Sequence, residues 1–100
     1  MTRLRISRAA QADLRDIRIY SKASFGVAVA RVYLDGLHEV FGSVRTHPLI
    51  GVARSNLGAC VRAFRYKLHR IYYDVGGEIV DILRVLHHAR DIDAAFGMPR

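Results

Sequence analysis

Near the end of the chain, Ile79-Val80-Asp81-Ile82-Leu83-Arg84-Val85-Leu86 is almost continuously apolar. A short run of this kind reads as a strand covered on much of both faces, not as one with a wet side. Such a strand needs hydrogen-bonding neighbours on both edges, and that requirement shapes everything else the chain can do. One neighbour lies just upstream. Leu68–Val75 is a second β-like run, and Gly76-Gly77 between the two tolerates positive φ, a strong hairpin signal. A third run, Cys60–Tyr66, precedes it. The remaining edge calls for Arg3-Leu4-Arg5-Ile6, whose alternation of charge and aliphatic side chain reads as a half-buried strand.

Between that first strand and the last three lies a helical half. Ser7 suits a helix N-cap, because its hydroxyl accepts from a free amide in the first turn. Ala10, Leu14, Ile17 and Ser21, with Tyr20, then follow at helical spacing. A first helix is expected from about Arg8 to Ala23, broken by Ser24-Phe25-Gly26. A second begins near Val27 and carries the stripe Ala30, Tyr33, Leu34, Leu37, Val40, Phe41 and Val44. So short a break predicts an antiparallel helical hairpin. Gly36 and Gly42 interrupt the stripe at about 0.5–1 kcal/mol each relative to Ala. At Gly36 two explanations stand: packing that overrides propensity, or a close approach of the first helix. Thr46-His47-Pro48-Leu49-Ile50-Gly51 is the clearest loop and divides the two halves. The expected fold is α+β in two layers: a helical hairpin on one face of a mostly antiparallel four-stranded sheet, in the order β-α-α-β-β-β. Asp91–Phe96 reads as a last short helix or a loose tail.

One hundred residues make one domain, 1–100, with 91–100 as a tail. Sixteen basic residues against nine acidic ones give a net charge of +7. The 51% hydrophobic content excludes a disordered basic tail. No apolar run approaches the roughly 18 residues of a membrane span, and Met1–Ile6 has no signal-peptide core. The expectation is a cytosolic domain without a membrane role, and its charge calls for an acidic partner. The lone Cys60 is read as a buried or inert thiol at the start of a strand.

Several side chains invite a chemical reading. Period 2 places Arg62 with Phe64 and Tyr66, and Arg65 with Val61 and Ala63. Arg84 falls with Val80, Ile82 and Leu86 on an apolar strand, where a charge needs either an ion-pair partner or a functional cleft. His87-His88 with Asp91 and Asp93 suggests a metal, but adjacent strand residues point to opposite faces, so no metal site is expected. Tyr66, Tyr72 and Tyr73 interleave with the basic set. Arg and Tyr beside His suit three things alike: phosphate or RNA contact, general acid–base cleavage of RNA, and an acidic protein surface.

Taken together these residues resemble the ParE-type toxins of type II toxin–antitoxin systems, within the RelE/ParE superfamily. The likeness runs through Ser7-Arg8-Ala9-Ala10, Asp13-Leu14, Ile17 and Tyr20, then Phe25-Gly26, Ala30 and Tyr33 to Leu37. It continues in His47-Pro48 and Gly51. Its most specific parts are Lys67-Leu68-His69-Arg70-Ile71-Tyr72-Tyr73 and Ile82-Leu83-Arg84-Val85-Leu86-His87-His88-Ala89-Arg90-Asp91. The resemblance implies a toxin that poisons DNA gyrase by binding rather than catalysis. It implies no cofactor, no direct sequence-specific DNA binding, and neutralisation by a ParD-like acidic antitoxin. The RelE-like alternative is a ribosome-dependent mRNA endoribonuclease using Arg62, Arg65, Arg84 and His87. No Tyr follows Tyr73, which weakens that alternative. Expected target contacts or their organisers are Arg84, His87, His88, Arg90 and Asp91. Expected antitoxin contacts are Leu14, Ile17, Tyr20, Tyr33, Leu37, Arg62 and Arg65, with the edge around Arg62–Tyr66 open to an antitoxin strand. For Leu14 and Leu37 a plain core role is the stronger expectation.

Overall fold

A computed structural model of the chain describes residues 2–90 and 92–96. Strand β1 (Arg3–Ile6) ends at Ser7, which caps helix α1 (Arg8–Phe25). The Ser7 hydroxyl accepts from the Ala10 amide at 3.0 Å, as its sequence position suggests. Helix α1 runs two residues beyond the expected end. A single residue, Gly26 with φ 89°, separates it from α2 (Val27–Thr46). The two helices fold back on each other at this residue and pack as the expected antiparallel hairpin.

The rest of the chain supplies β2 (Val52–Ala53), β3 (Val61–Tyr66), β4 (His69–Gly76), β5 (Ile79–His87) and a short helix α3 (Ile92–Ala95). The sheet has five strands in the order β1-β5-β4-β3-β2. β1 pairs parallel to β5, with Leu4 opposite Val80, and all other pairs are antiparallel. The apolar strand thus has the two neighbours it requires. The expected four strands become five because β2 pairs Val52 and Ala53 with Ala63 and Arg62. Two exposed residues carry no periodicity for a sequence to reveal. This strand also covers the first half of the β3 edge, which narrows the opening expected at Arg62–Tyr66 to its last residues.

The helices lie on one face of the sheet. Leu37, Phe41 and Val44 pack there against Ile71, Tyr73, Val80, Ile82 and Val85. A smaller cluster of Ala63, Tyr72 and Leu86 occupies the other face, under Leu57 and the α3 segment Ile92, Ala95 and Phe96. β5 is therefore covered on both faces. Of the two explanations for Gly36, close approach of α1 does not hold: a Cβ there would sit 1.9 Å from the Tyr66 hydroxyl, so it is packing against a sheet tyrosine that overrides helix propensity. A Cβ at Gly42 would meet nothing within 4 Å.

β5 is not a regular strand. Tyr72 faces Arg84 but Tyr73 faces Ile82, which leaves Leu83 as an extra residue in a bulge. The bulge inverts the alternation after it. Arg84 consequently shares a face with Leu86 and Tyr72, and not with Val80 and Ile82 as period 2 predicts. Cys60 is exposed, one residue before β3, so of the two expectations, buried or inert, burial does not hold.

Candidate functional site

Asp13 holds the bulge from across the molecule. Its carboxylate accepts Arg84 Nε at 2.8 Å, Arg84 Nη2 at 2.9 Å and the Val85 amide at 2.9 Å. Arg84 Nη1 also donates to the Ala95 carbonyl at 3.1 Å. Ser7 completes the clasp by donating from its hydroxyl to the Leu83 carbonyl at 2.9 Å. The Arg84 charge on its apolar strand is thus satisfied by a bidentate ion pair, and the pair fixes the direction in which β5 leaves the sheet.

β5 leaves toward a depression on the surface. It is an apolar groove of about 510 Å³ between the tip of the hairpin and the end of the sheet. Ile17, Tyr20 and Phe25 line it from α1, Val29 and Tyr33 from α2, Leu68 from the β3–β4 turn, and His69 and His87 from the strands. Tyr20 and Phe25 are 67% and 61% exposed. Lys67 takes a positive φ of 51° in the two-residue turn that presents Leu68.

An aromatic ladder forms one wall. The Tyr33 ring meets Tyr66 edge-on at 5.3 Å and His69 at 5.5 Å; His69 meets His87 at 5.7 Å; His87 stacks on His88 at 4.6 Å. Burial, then the neighbouring His87 and His88, push His69 down to about 4, with Asp13 opposing. His69 Nδ1 and the Tyr33 hydroxyl share a hydrogen bond at 2.7 Å, while the Leu68 amide donates to the Tyr33 oxygen at 3.3 Å. Burial raises the Tyr33 phenol, and the Leu68 bond only partly offsets it. These are positioning bonds that set the wall rigidly. The groove offers shape and apolar area, which suits docking of a partner's side chains.

The residues singled out in the sequence distribute unevenly. Ile17, Tyr20, Tyr33 and His87 converge on this groove. Leu14 lines a different cleft, with Arg15, Arg18 and Leu34 along the hairpin seam. Leu37 is fully buried in the core, which removes it from any contact surface. Arg62 donates to the Gly51 carbonyl at 2.6 Å and holds the inter-half loop, together with Tyr73, whose hydroxyl donates to the Pro48 carbonyl. Arg62, Arg65, Arg84 and His87 do not gather into one cleft: Arg62 and Arg84 belong to separate structural networks. His87 and His88 do not point to opposite faces, because the strand ends at His87 and the rings then stack. Arg90 is exposed beyond β5, and Asp91 lies outside the described residues. Among the described residues, no helix is long and apolar enough to cross a membrane.

Two contributors escaped the sequence analysis as site residues. Asp13 stands at a buried position with Ala10, Ile17 and Ser21, and an acid on an apolar stripe was the available signal that Arg84 had a partner. His69 sits at an inward position of β4, where a titratable ring among Ile71 and Tyr73 was the corresponding signal.

Known proteins agree with this architecture. The family model for the ParE toxin of the type II toxin–antitoxin system parDE matches residues 4–92. "Toxin ParE1" of Caulobacter vibrioides is 38% identical over 93 residues, covering 93% of this chain and 96% of the relative. "Toxin ParE1" of Mycobacterium tuberculosis is 33% identical over 93 residues, covering 92% and 95%. Among solved structures, a chain of the chromosomal ParDE toxin–antitoxin system from P. aeruginosa superposes with a TM-score of 0.76 at 22% identity, over 87% of this chain and 96% of that one. A chain of the RelBE2 toxin–antitoxin complex from M. tuberculosis gives a TM-score of 0.59 at 24% identity, over 87% and 98%. At such identities the structural likeness speaks for the fold; the family model and the closer relatives speak for kinship. With its hairpin, its clasped β5 and the groove between them, the chain belongs to the ParE family of type II toxin–antitoxin toxins.

Proposed function

We propose that the groove beside Tyr20, Tyr33 and His87 receives an apolar segment of a ParD-like acidic antitoxin, and that the free toxin arrests growth by binding DNA gyrase without catalysis. The observation that carries the first part is the groove itself: apolar, rigidly walled, and set in a chain of net charge +7. An amphipathic acidic segment fits both properties, with aliphatic side chains in the groove and carboxylates toward the cationic surface of the chain. Among the expected polar antitoxin contacts, Arg65 is exposed and open to such carboxylates, whereas Arg62 is committed to its loop. The second part rests on the kinship with toxins named ParE. The wall beyond the groove, with His87, His88 and Arg90, is the surface proposed for the target, and Arg84 serves as its organiser through the Asp13 clasp. The toxin works in the cytoplasm, where its target is.

A single set of assays tests this reading. Purified toxin should inhibit supercoiling by gyrase and leave cleaved plasmid with no ribosome present, and the antitoxin should reverse both effects. Codon-positioned mRNA cuts that require translating ribosomes, with gyrase unaffected, would replace it with the endoribonuclease reading. The dispersal of Arg62 and Arg84 into separate networks speaks against that outcome.

A further inference from the structure

Beside the groove, on the rim of the sheet, sits a cluster of cations that no carboxylate among the described residues compensates. The β3–β4 register places Arg65 directly opposite Arg70. Residues so paired have Cβ atoms about 4.5–5.5 Å apart, and like charges in that relation destabilise a sheet. His88 joins them. Its amide donates to the Leu68 carbonyl at 2.8 Å, which pins it to the β3–β4 turn, and its ring stacks on His87. Desolvation, then Arg65, His87 and Arg70, hold its imidazole below its usual range.

Elsewhere the chain compensates the charges of its strands. Arg5 pairs with Asp81 at 2.6 Å and Arg84 with Asp13 at 2.8 Å. Among the described residues, Arg65, Arg70 and His88 have no carboxylate in ion-pair contact. The Arg65 guanidinium makes one bond, from Nε to the Lys67 carbonyl, and that of Arg70 makes none. A fold built for stability alone would do better with an acid at either arginine position.

We infer that Arg65, Arg70 and His88 form a binding site for a phosphate group, from a nucleic-acid backbone or from a free phosphate. A carboxylate is satisfied by the fork of one arginine. Two arginines directly opposite each other on neighbouring strands, with an imidazole held at the adjoining turn, match a dianion with three acceptor oxygens. The groups facing His88 are Arg65 from β3, Arg70 and His69 from β4, and His87 from β5, with Lys67 and Arg90 in the adjoining turns. Among the described residues these are cationic or neutral, so a bound anion draws a proton onto His88. The site does not depend on gyrase being the target.

The test is a nuclear magnetic resonance titration of the full-length labelled toxin with inorganic phosphate, at constant ionic strength against chloride. The His88 ring signals should move saturably, and its apparent pKa should rise by about one unit or more. Arg70→Gln should weaken the site at least about tenfold, or 1.4 kcal/mol. Because it removes a like-charge opposition, the same variant should unfold no more readily than the parent, which a structural role for Arg70 would not allow. A short DNA duplex that binds more tightly than phosphate, with steep salt dependence, would identify the backbone as the source; binding of phosphate alone would identify the free ion. His88 signals that move no more in phosphate than in chloride, or equally in Arg70→Gln, would overturn the site.

Discussion

Asp13 makes one acid responsible for three hydrogen bonds, two to a guanidinium and one to the amide of a bulged strand. Both partners are largely buried, with 9% and 19% of their side chains exposed. Removing one member of such a pair leaves the other charge uncompensated, which costs roughly 3 kcal/mol or more. Asp13→Ala should therefore lower the unfolding free energy by about that amount in a urea titration, whereas exposed Asp16→Ala should change it by less than about 0.5 kcal/mol. The two glycines of α2 separate in the same way. Gly42→Ala fills open space and should stabilise by about 0.5–1 kcal/mol. Gly36→Ala drives a methyl into the Tyr66 ring, and the overpacking, about 1–3 kcal/mol, outweighs the helical gain. Calorimetric melting of the pair should show shifts of opposite sign.

At the level of elements, the aromatic ladder ties α2 to β4 and β5 through a neutral His69. Its folded value near 4 lies below the ordinary 6.5, so between those limits the unfolded chain binds a proton that the folded chain refuses. Stability is then full above pH 6.5 and falls as the pH drops toward 4. His69→Gln, which can still hydrogen-bond Tyr33 but does not titrate, should flatten that decline in urea midpoints measured across the range. The elements themselves were largely legible. The apolar run at 79–86 demanded two neighbours, Ser7 marked a cap, and Gly76-Gly77 marked a hairpin whose Gly77 adopts φ 61°. Three things stayed hidden for physical reasons. β2 is two exposed residues long. The bulge at Leu83 is set by Asp13, 72 positions from the amide it binds, so no local pattern announces it. The groove is assembled from four elements, and only its α1 and α2 members lie on a stripe that periodicity can find.

For the whole molecule, the helical hairpin and the clasped strand define one apolar groove in a cationic surface. Tyr20 is the most exposed residue offered as a partner anchor. Tyr20→Ala should leave the melting temperature within a degree or two, yet weaken antitoxin binding by about 30-fold, the effect of an interface anchor, in a calorimetric titration. Leu37→Ala should do the reverse, losing about 2–5 kcal/mol of stability through its core cavity. The parallel pairing of β1 with β5 also sets a clock. Asp81 follows its partner Arg5 by 76 residues, so a chain growing at about 5–20 residues per second keeps its first strand unpaired for roughly 4–15 seconds. Leu68 and His69 of the groove wall are made late in that interval, and His87 only after it. Until β5 has been made, neither its bond to Asp13 nor the full groove wall exists, so a partner that seats in the groove can meet only the completed chain.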